Sequence, residues 1–562
     1  MKFELVNKRI AKALLVVGPL TTLAVSPWSN YDPINLIKLL ILTPIAFLCI
    51  FLGFSVIKQS TTKLSKLFCI ASLALVLSML STLFFSGAPL TQQFWGSFGR
   101  NTGFLTYFSL LSLLVSTALI QKPDFYHKLL ISILLTNIPV TFYCLVQIVG
   151  LDPIRWSEKA PFATLGNINF SSAFLGISSI VGLVLLTGKK FPKGLKVLIF
   201  LTVVIDQIII LITGSIQGIM IFIAGIVVSI YIWLHYNKKL RKFQIPYVFL
   251  AIIGTFVTVF GIANKGPLAK FLFAPSVVYR TDYWHAGWQM TLDHPIFGVG
   301  LDSYGDWYRS ARGVISTLRT GPDRIANTAH NIFLDISSNG GLPMILAYSI
   351  LNLIAFNSGI RFLRRQKTFD ATFVALFASW VGYIVFSAVS INQIGIGVWG
   401  WLFTGALIGY EISTRELQTD FSDVTNKSKK SLRSNVHQLP AEAGLLALIG
   451  LIFGFVLAFI PFNADVKFRT ALNSKNLTNM IETTKVIGST AYHRDITLDT
   501  AFQNSFQAQG KEVSDSLIRD FPRDIMGWKA IIYLSTSSAS ERQEAIFKLH
   551  ELDPFNPNLP KL

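Results

Sequence analysis

Residues 279–313 read YRTDYWHAGWQMTLDHPIFGVGLDSYGDWYRSARG, and residues 327–346 read NTAHNIFLDISSNGGLPMIL. They dominate a stretch from about 264 to 346, the longest polar, aromatic-rich interruption in a chain that otherwise passes from one apolar run to the next. Between Tyr279 and Tyr308 the Arg, Asp, His, Trp and Tyr residues are denser than a loop needs for solubility. Connections of this length are usually functional or disordered, and this aromatic content argues against disorder. An active site is expected here.

Outward from that stretch, the 562 residues are 52% hydrophobic and only 14% charged. A soluble protein carries roughly 25% charged residues, so the chain reads as a polytopic membrane protein. The net charge of +19 invites a nucleic-acid reading, but the cations sit in short clusters between apolar runs, as the positive-inside rule requires. A nucleic-acid binder would gather them on one soluble face. Cys49, Cys69 and Cys144 lie within or at the edge of apolar runs and give neither a metal spacing nor a disulfide framework.

Apolar runs long enough to span a bilayer are expected at 13–25, 35–57, 67–85, 104–120, 129–149, 171–187, 197–213, 217–235, 245–263, 341–358, 371–390, 397–411 and 441–461. The first, after a short basic start and with Ala24-Val25-Ser26 resembling a cleavage site, is read as a retained helix because many spans follow. With the N-terminus in the cytoplasm, alternate loops should be basic. They are: Lys58/Lys63/Lys66, Lys122/Lys128, Lys189/Lys190/Lys193/Lys196, Lys238/Lys239/Arg241/Lys242, Arg361/Arg364/Arg365/Lys367 and Lys427/Lys429/Lys430/Arg433. The opposite side carries only Arg100, Arg155 and Lys159 in its short loops.

The expected architecture is therefore all-α. A polytopic bundle of about 12–13 transmembrane helices occupies residues 1–411 and carries a large external loop at about 264–340. A cytoplasmic linker (412–440), a last span (441–461) and an external helical domain (462–562) follow. In this tail, Phe521-Pro522 and Asp553-Pro554 recur about one repeat apart, with Trp528, Ala530 and Ala545 at packing positions. That is similar to tetratricopeptide hairpins, and equally compatible with a generic bundle. Chemistry outside the cytoplasm has no direct access to ATP, so its energy must arrive in an activated substrate.

His330 is the leading candidate for chemistry, since an imidazole at a membrane-surface cleft can act as general base near neutral pH. The bland alternative is a residue anchoring a helix start, with Asn331 either its orienting neighbour or a helix cap. Arg280 precedes Trp284 and Trp288, an (i, i+4) pair on one helical face. An Arg among aromatics can clamp phosphate, or the group can simply anchor at headgroup level. Arg100 lies in Phe98-Gly99-Arg100-Asn101-Thr102-Gly103, where glycines allow close backbone approach to a phosphate; a plain turn is the competing reading. Arg309, Arg312, Arg319 and Arg324 form a basic run that can attract lipid pyrophosphate or serve as a solvated face. Gly166-Asn167-Ile168-Asn169 can line the same cleft. His285 and His294 fit no zinc spacing, no carboxylate cluster suits Mg²⁺, and neither a metal nor a cofactor is expected.

Arg280 with Trp284, then His294-Pro295-Ile296-Phe297-Gly298-Val299-Gly300, His330-Asn331 and Gly340-Gly341-Leu342-Pro343, in this order, resembles the O-antigen ligase/polymerase superfamily from about Gly99 to Gly409. The resemblance implies a membrane glycosyltransferase at the outer face of a bacterial plasma membrane. It would move a glycan from a polyprenyl-pyrophosphate carrier to a lipid, glycan or protein acceptor. It also implies Arg280 as a binder of donor pyrophosphate and His330 as the residue that activates the acceptor hydroxyl or assists the leaving group, without metal. Arg100, Asn331, Trp284 and Arg312 are the further candidates for the donor cleft. One departure stands out: many such ligases carry a Ser-Arg pair where this chain has Thr213-Gly214-Ser215-Ile216-Gln217-Gly218, and Arg100 is nominated as the replacement cation.

Ligase, polymerase and protein O-oligosaccharyltransferase share this pattern, and the tail tilts the reading toward ligation. A transporter or flippase would show ionisable residues at mid-membrane and matching halves; Asp206 is the one clear intramembrane acid. A scaffold recruiting envelope enzymes through its tail would leave His330 and Arg280 dispensable.

Overall fold

The computed structural model describes residues 2–55, 64–120, 122–156, 160–188, 190–273, 275–423 and 441–561. Lys58, Lys63, Lys159, Lys189, Lys427, Lys429, Lys430, Arg433 and residues 424–440 of the expected linker lie outside them. Among the described residues every regular element is helical, and ten helices are long and apolar enough to cross a membrane. The protein is a polytopic helical membrane protein. Each of the expected spans falls on a helix. Three of the thirteen expected spans fall on helices outside those ten: Lys2–Leu23, with its charged first turns, Phe104–Ala118, at 15 residues, and Ile394–Asp423. Leu198, Leu201, Ile208, Phe249 and Phe256 point outward, as a lipid-facing surface does.

Two polar devices order the bundle. Lys38, fully buried, donates to the carbonyls of Thr21, Thr22 and Ala24 at 2.9–3.1 Å. Those carbonyls close the C-terminal end of Lys2–Leu23, where the helix leaves acceptors unpaired and favours a cation. Thr22 accepts from the indole of Trp399 at 2.8 Å and donates to the Gly395 carbonyl, locking the first helix to Ile394–Asp423. The last span, Ala441–Asn473, lies along Asn35–Phe54 through Gly450 and Gly454. A side chain there would sit 2.7 Å from the Phe47 carbonyl oxygen or 2.8 Å from Pro44 Cα. Small residues four apart permit this approach of two membrane helices.

That last helix runs on to Asn473 and brings the tail over the central stretch. The tail comprises Leu477–Thr484, Ala491–Gln503, Gln507–Asp520, Ile525–Tyr533 and Ala539–Leu552. One cluster contains Leu498, Val513, Leu517 and Leu534, and a second contains Trp528, Ile531, Ala545 and Leu549. Phe521 and Asp553 each stop a helix just before a proline, with closely matching backbone angles (φ −133°, ψ 68° and φ −137°, ψ 63°). A helix must end there because the following proline disfavours the helical conformation of the preceding residue.

Candidate functional site

The central stretch folds into Pro275–Asp293, Tyr304–Ala311 and Val314–Thr320, and then enters Ile332–Arg365. That last helix is broken at Gly341 (φ 73°, ψ −179°). The break frees backbone groups, and His294–Gly300 uses them. Val299 and Gly300 donate to the carbonyls of Ser338 and Asn339 at 2.9 and 3.1 Å, and Leu342 donates to Pro295 at 2.7 Å. A Cβ at Gly341 would lie 2.5 Å from the Ile296 carbonyl oxygen. The two glycine-bearing motifs are thus two sides of one backbone seam, and glycine is required because only it takes this angle without a steric cost.

His330 sits where the seam meets the membrane helix, with φ +53°. This left-handed conformation is uncommon outside glycine, although His tolerates it better than most residues. Three contacts hold it. His330 N donates to Thr328 Oγ1 at 3.2 Å, Ala329 N donates to the buried Asp335 carboxylate at 2.7 Å, and Asn331 caps the helix by accepting from Phe333 and Leu334. The imidazole lies against Tyr283, with ring centres 5.5 Å apart and planes at 31°. Neither ring nitrogen has a hydrogen-bond partner among the described residues. Burial, then the charge of Arg100, then that of Arg280, push its pKa down to about 3, so the ring is neutral at physiological pH.

Arg100 is brought to this point by its own loop. Asp302 Oδ2 accepts from Ser97 N and Thr102 N at 2.8 and 3.1 Å, and Asn35 Nδ2 donates to the Gly99 carbonyl at 2.7 Å. Gln92 strengthens the joint through the Asp302 carbonyl and the Asp306 carboxylate. Arg100 Nε and Nη1 are enclosed and have no hydrogen-bond partner among the described residues, with Asp302 and Asp335 near enough to act on the charge. Arg280, half-buried on Pro275–Asp293, makes no ion pair among the described residues, and burial lowers its pKa. Two guanidinium groups without a carboxylate partner therefore flank an unprotonated imidazole. That combination can hold an anion and accept a proton.

Several expected residues serve other purposes. Arg312, expected in the donor cleft, is fully buried and bonded to Asp553 of the tail at 2.8 Å and to the carbonyls of Pro322 and Arg324. A guanidinium enclosed in this way is not available to a donor. Arg309 also pairs with Asp553, and Arg319 pairs with Asp282; Arg324 is exposed. The Asn331 side-chain oxygen is committed to its cap, so the capping alternative holds. Trp284 packs beside the local core of Ala286, Met290, Tyr304 and Tyr308 with its indole N–H enclosed and unpartnered, whereas Trp288 faces outward. Ser215 is hydrogen-bonded to Asn169 and Ser172, so the stretch lacking the family's Arg meets the 166–169 turn. His285 is exposed, and His294 packs edge-on against Trp307. Asp206 is enclosed and satisfied by Asn137, Thr141 and Ser179. Among the described residues no group of three or more His, Cys, Asp or Glu could hold a metal ion.

Sequence reasoning missed Asp302, Asp335 and Tyr283. Their signal was weak, since a lone Asp beside a motif does not reveal which backbone amides it accepts from.

Comparison with known proteins gives one family model, described as O-Antigen ligase, which matches residues 198–349. No curated protein matches the chain. The matched segment is a little over a quarter of the sequence and contains Arg280, the glycine seam and His330, while Arg100 lies outside it. Over that segment, the match supports a relationship to the O-antigen ligase superfamily.

Proposed function

We propose that the protein is a glycosyltransferase of the O-antigen ligase type that moves a glycan from a polyprenyl-pyrophosphate carrier to an acceptor hydroxyl at the outer membrane face. The observation that carries this reading is the neutral His330 imidazole within electrostatic reach of two uncommitted arginines. Arg280 and Arg100 bind the donor pyrophosphate, and Arg100 takes the place of the absent Ser-Arg pair. The acceptor hydroxyl gives its proton to a ring nitrogen of His330 as its oxygen bonds to the anomeric carbon. The bond from that carbon to the pyrophosphate breaks, and its electron pair stays on the phosphate oxygen, where the guanidinium groups stabilise the charge. A single displacement inverts the anomeric centre. Donor binding also prepares the base, because the pyrophosphate charge offsets the two arginines that hold the ring's pKa down.

The test uses the full chain in nanodiscs with a pool of polyprenyl-pyrophosphate glycans and candidate acceptors, and follows release of the carrier pyrophosphate. H330A should lower turnover about 10²- to 10⁴-fold and leave donor binding intact. R280A and R100A should weaken donor binding, and EDTA should change nothing. Turnover unaffected by H330A and R280A would remove the assignment.

A further inference from the structure

A cavity of about 250 Å³ lies between the tail and the central stretch, near the low end of the ~300–1,000 Å³ usual for ligand sites. Neither His330 nor Arg280 lines it, but Asn101 and Asn327 do; they adjoin Arg100 and precede His330 by three residues. Its other walls include Asp306 from the central stretch and Asp495 and Asp524 from the tail.

These carboxylates are under-satisfied. Asp495 Oδ1 is enclosed and has no hydrogen-bond partner among the described residues. Asp306 receives one bond from Gln92 at 2.6 Å, and one oxygen of Asp524 caps Ile525–Tyr533. Burial pushes Asp306 up to about 7; burial and then the mutual repulsion with Asp524 and Asp306 raise Asp495. Of the cations around the cavity, Arg309 and Lys529 have carboxylate partners, Asp553 and, at 3.4 Å, Asp323. Arg523 is held by the Trp307 ring at 3.5 Å, the Ser310 hydroxyl and the Asp306 backbone carbonyl. Three carboxyl groups with unfilled hydrogen-bonding positions favour a ligand rich in hydroxyl or amino groups. On one side Tyr492 stacks on Phe98, with ring centres 4.4 Å apart, giving an aromatic wall of the kind that packs against the C–H faces of sugar rings.

We infer that this cavity is the acceptor site, and that it takes a neutral or amino glycan whose hydroxyls donate to Asp306, Asp495 and Asp524, with the reacting end toward His330. The inference rests on the transferase reading. It makes the tail part of the acceptor site, so the tail governs which acceptor is used and has no part in donor binding.

The experiment applies fluorescently labelled full chain in nanodiscs to an array of neutral, amino and uronic-acid oligosaccharides and, in parallel, measures polyprenyl-pyrophosphate binding. Wild type should retain a subset of neutral or amino glycans. D495A/D524A should lose at least tenfold of that signal while binding polyprenyl pyrophosphate normally and keeping wild-type hydrogen exchange across the tail helices, which certifies the fold of the tail. Tyr492→Ala should lose glycan in the same way, and R280A should show the opposite pattern. A wild type that retains no neutral or amino glycan above the D495A/D524A background, or retains only uronic acids, overturns the inference. Equal pyrophosphate binding by R280A and wild type would instead count against the transferase reading and leave the array result standing.

Discussion

Asp553→Asn removes the charge that joins the tail to the central stretch and leaves the shape of the side chain nearly unchanged. Asp553 is 1% exposed and Arg312 is fully enclosed, so after the substitution a guanidinium remains buried without its counter-charge. Removing one partner of a buried pair costs about 3–5 kcal/mol. The low end applies here, because Arg312 keeps the Pro322 and Arg324 carbonyls at 2.8 and 3.0 Å. A loss of about 3 kcal/mol shifts the docking equilibrium by roughly 10²-fold. Hydrogen exchange of the full chain in nanodiscs reads this directly. The amides of Arg312, Thr317 and Gly321, bonded to Tyr308, Gly313 and Thr317, should open about 10²-fold more often, and the membrane spans should be unaffected. The triple variant R309M/R312M/D553L should restore protection, because apolar residues can replace buried ion pairs at little or no cost and Arg309, the second partner of Asp553, is not left without its carboxylate. Unchanged exchange in D553N, or a triple variant no better than the single one, would refute the reasoning.

The His330 ring predicts a pH dependence. Its pKa is about 3 in the fold against the ordinary 6.5, so between these values the unfolded chain binds more protons. Stability contributed by the neutral ring is present above 6.5 and is lost as pH falls toward 3. H330Q should flatten that acid loss, as measured by thermal unfolding at about pH 7 and about pH 4.5. Gly341→Ala should destabilise the protein by more than the ~1–2 kcal/mol of a left-handed alanine, because its Cβ also meets the Ile296 carbonyl oxygen at 2.5 Å. Gly254→Ala, at an open helical position, should be neutral or mildly stabilising and serves as the control in the same melting experiment.

The membrane spans were readable because a bilayer imposes a length and an apolar composition on each helix. Arg280 and His330 were singled out for a different reason: they stand in short polar, aromatic motifs within an apolar chain. The positive φ at Gly298, Gly300 and Gly341 was seen only in the structure. The contact between those motifs was not readable, since Val299 bonding to Ser338 joins residues whose pairing no periodicity encodes. Arg100 stood out as a rare cation between spans, but its placement depends on Asp302, some two hundred residues away in sequence.

Arg312 illustrates the limit most sharply. In sequence it is one of four arginines in a basic run, and nothing in its neighbours shows whether it faces a ligand or a partner within the fold. The distinction is supplied by Asp553, 241 residues later, in a segment whose local pattern speaks only of helices. Charge in a buried setting acquires meaning from its partner: paired, it fastens two elements; unpaired, it waits for a ligand. By that criterion the central stretch divides itself. Arg309, Arg312 and Arg319 have carboxylates and build the platform, whereas Arg280, and Arg100 from the loop before Phe104, have no ion pair among the described residues and act on the neutral imidazole. The same question put to the cavity beneath the tail singles out Asp495, whose Oδ1 lacks a donor among the described residues. Under the proposed function, the donor anion belongs to one side of the junction and the hydroxyl-rich acceptor to the other, the arrangement that a transfer between the two requires.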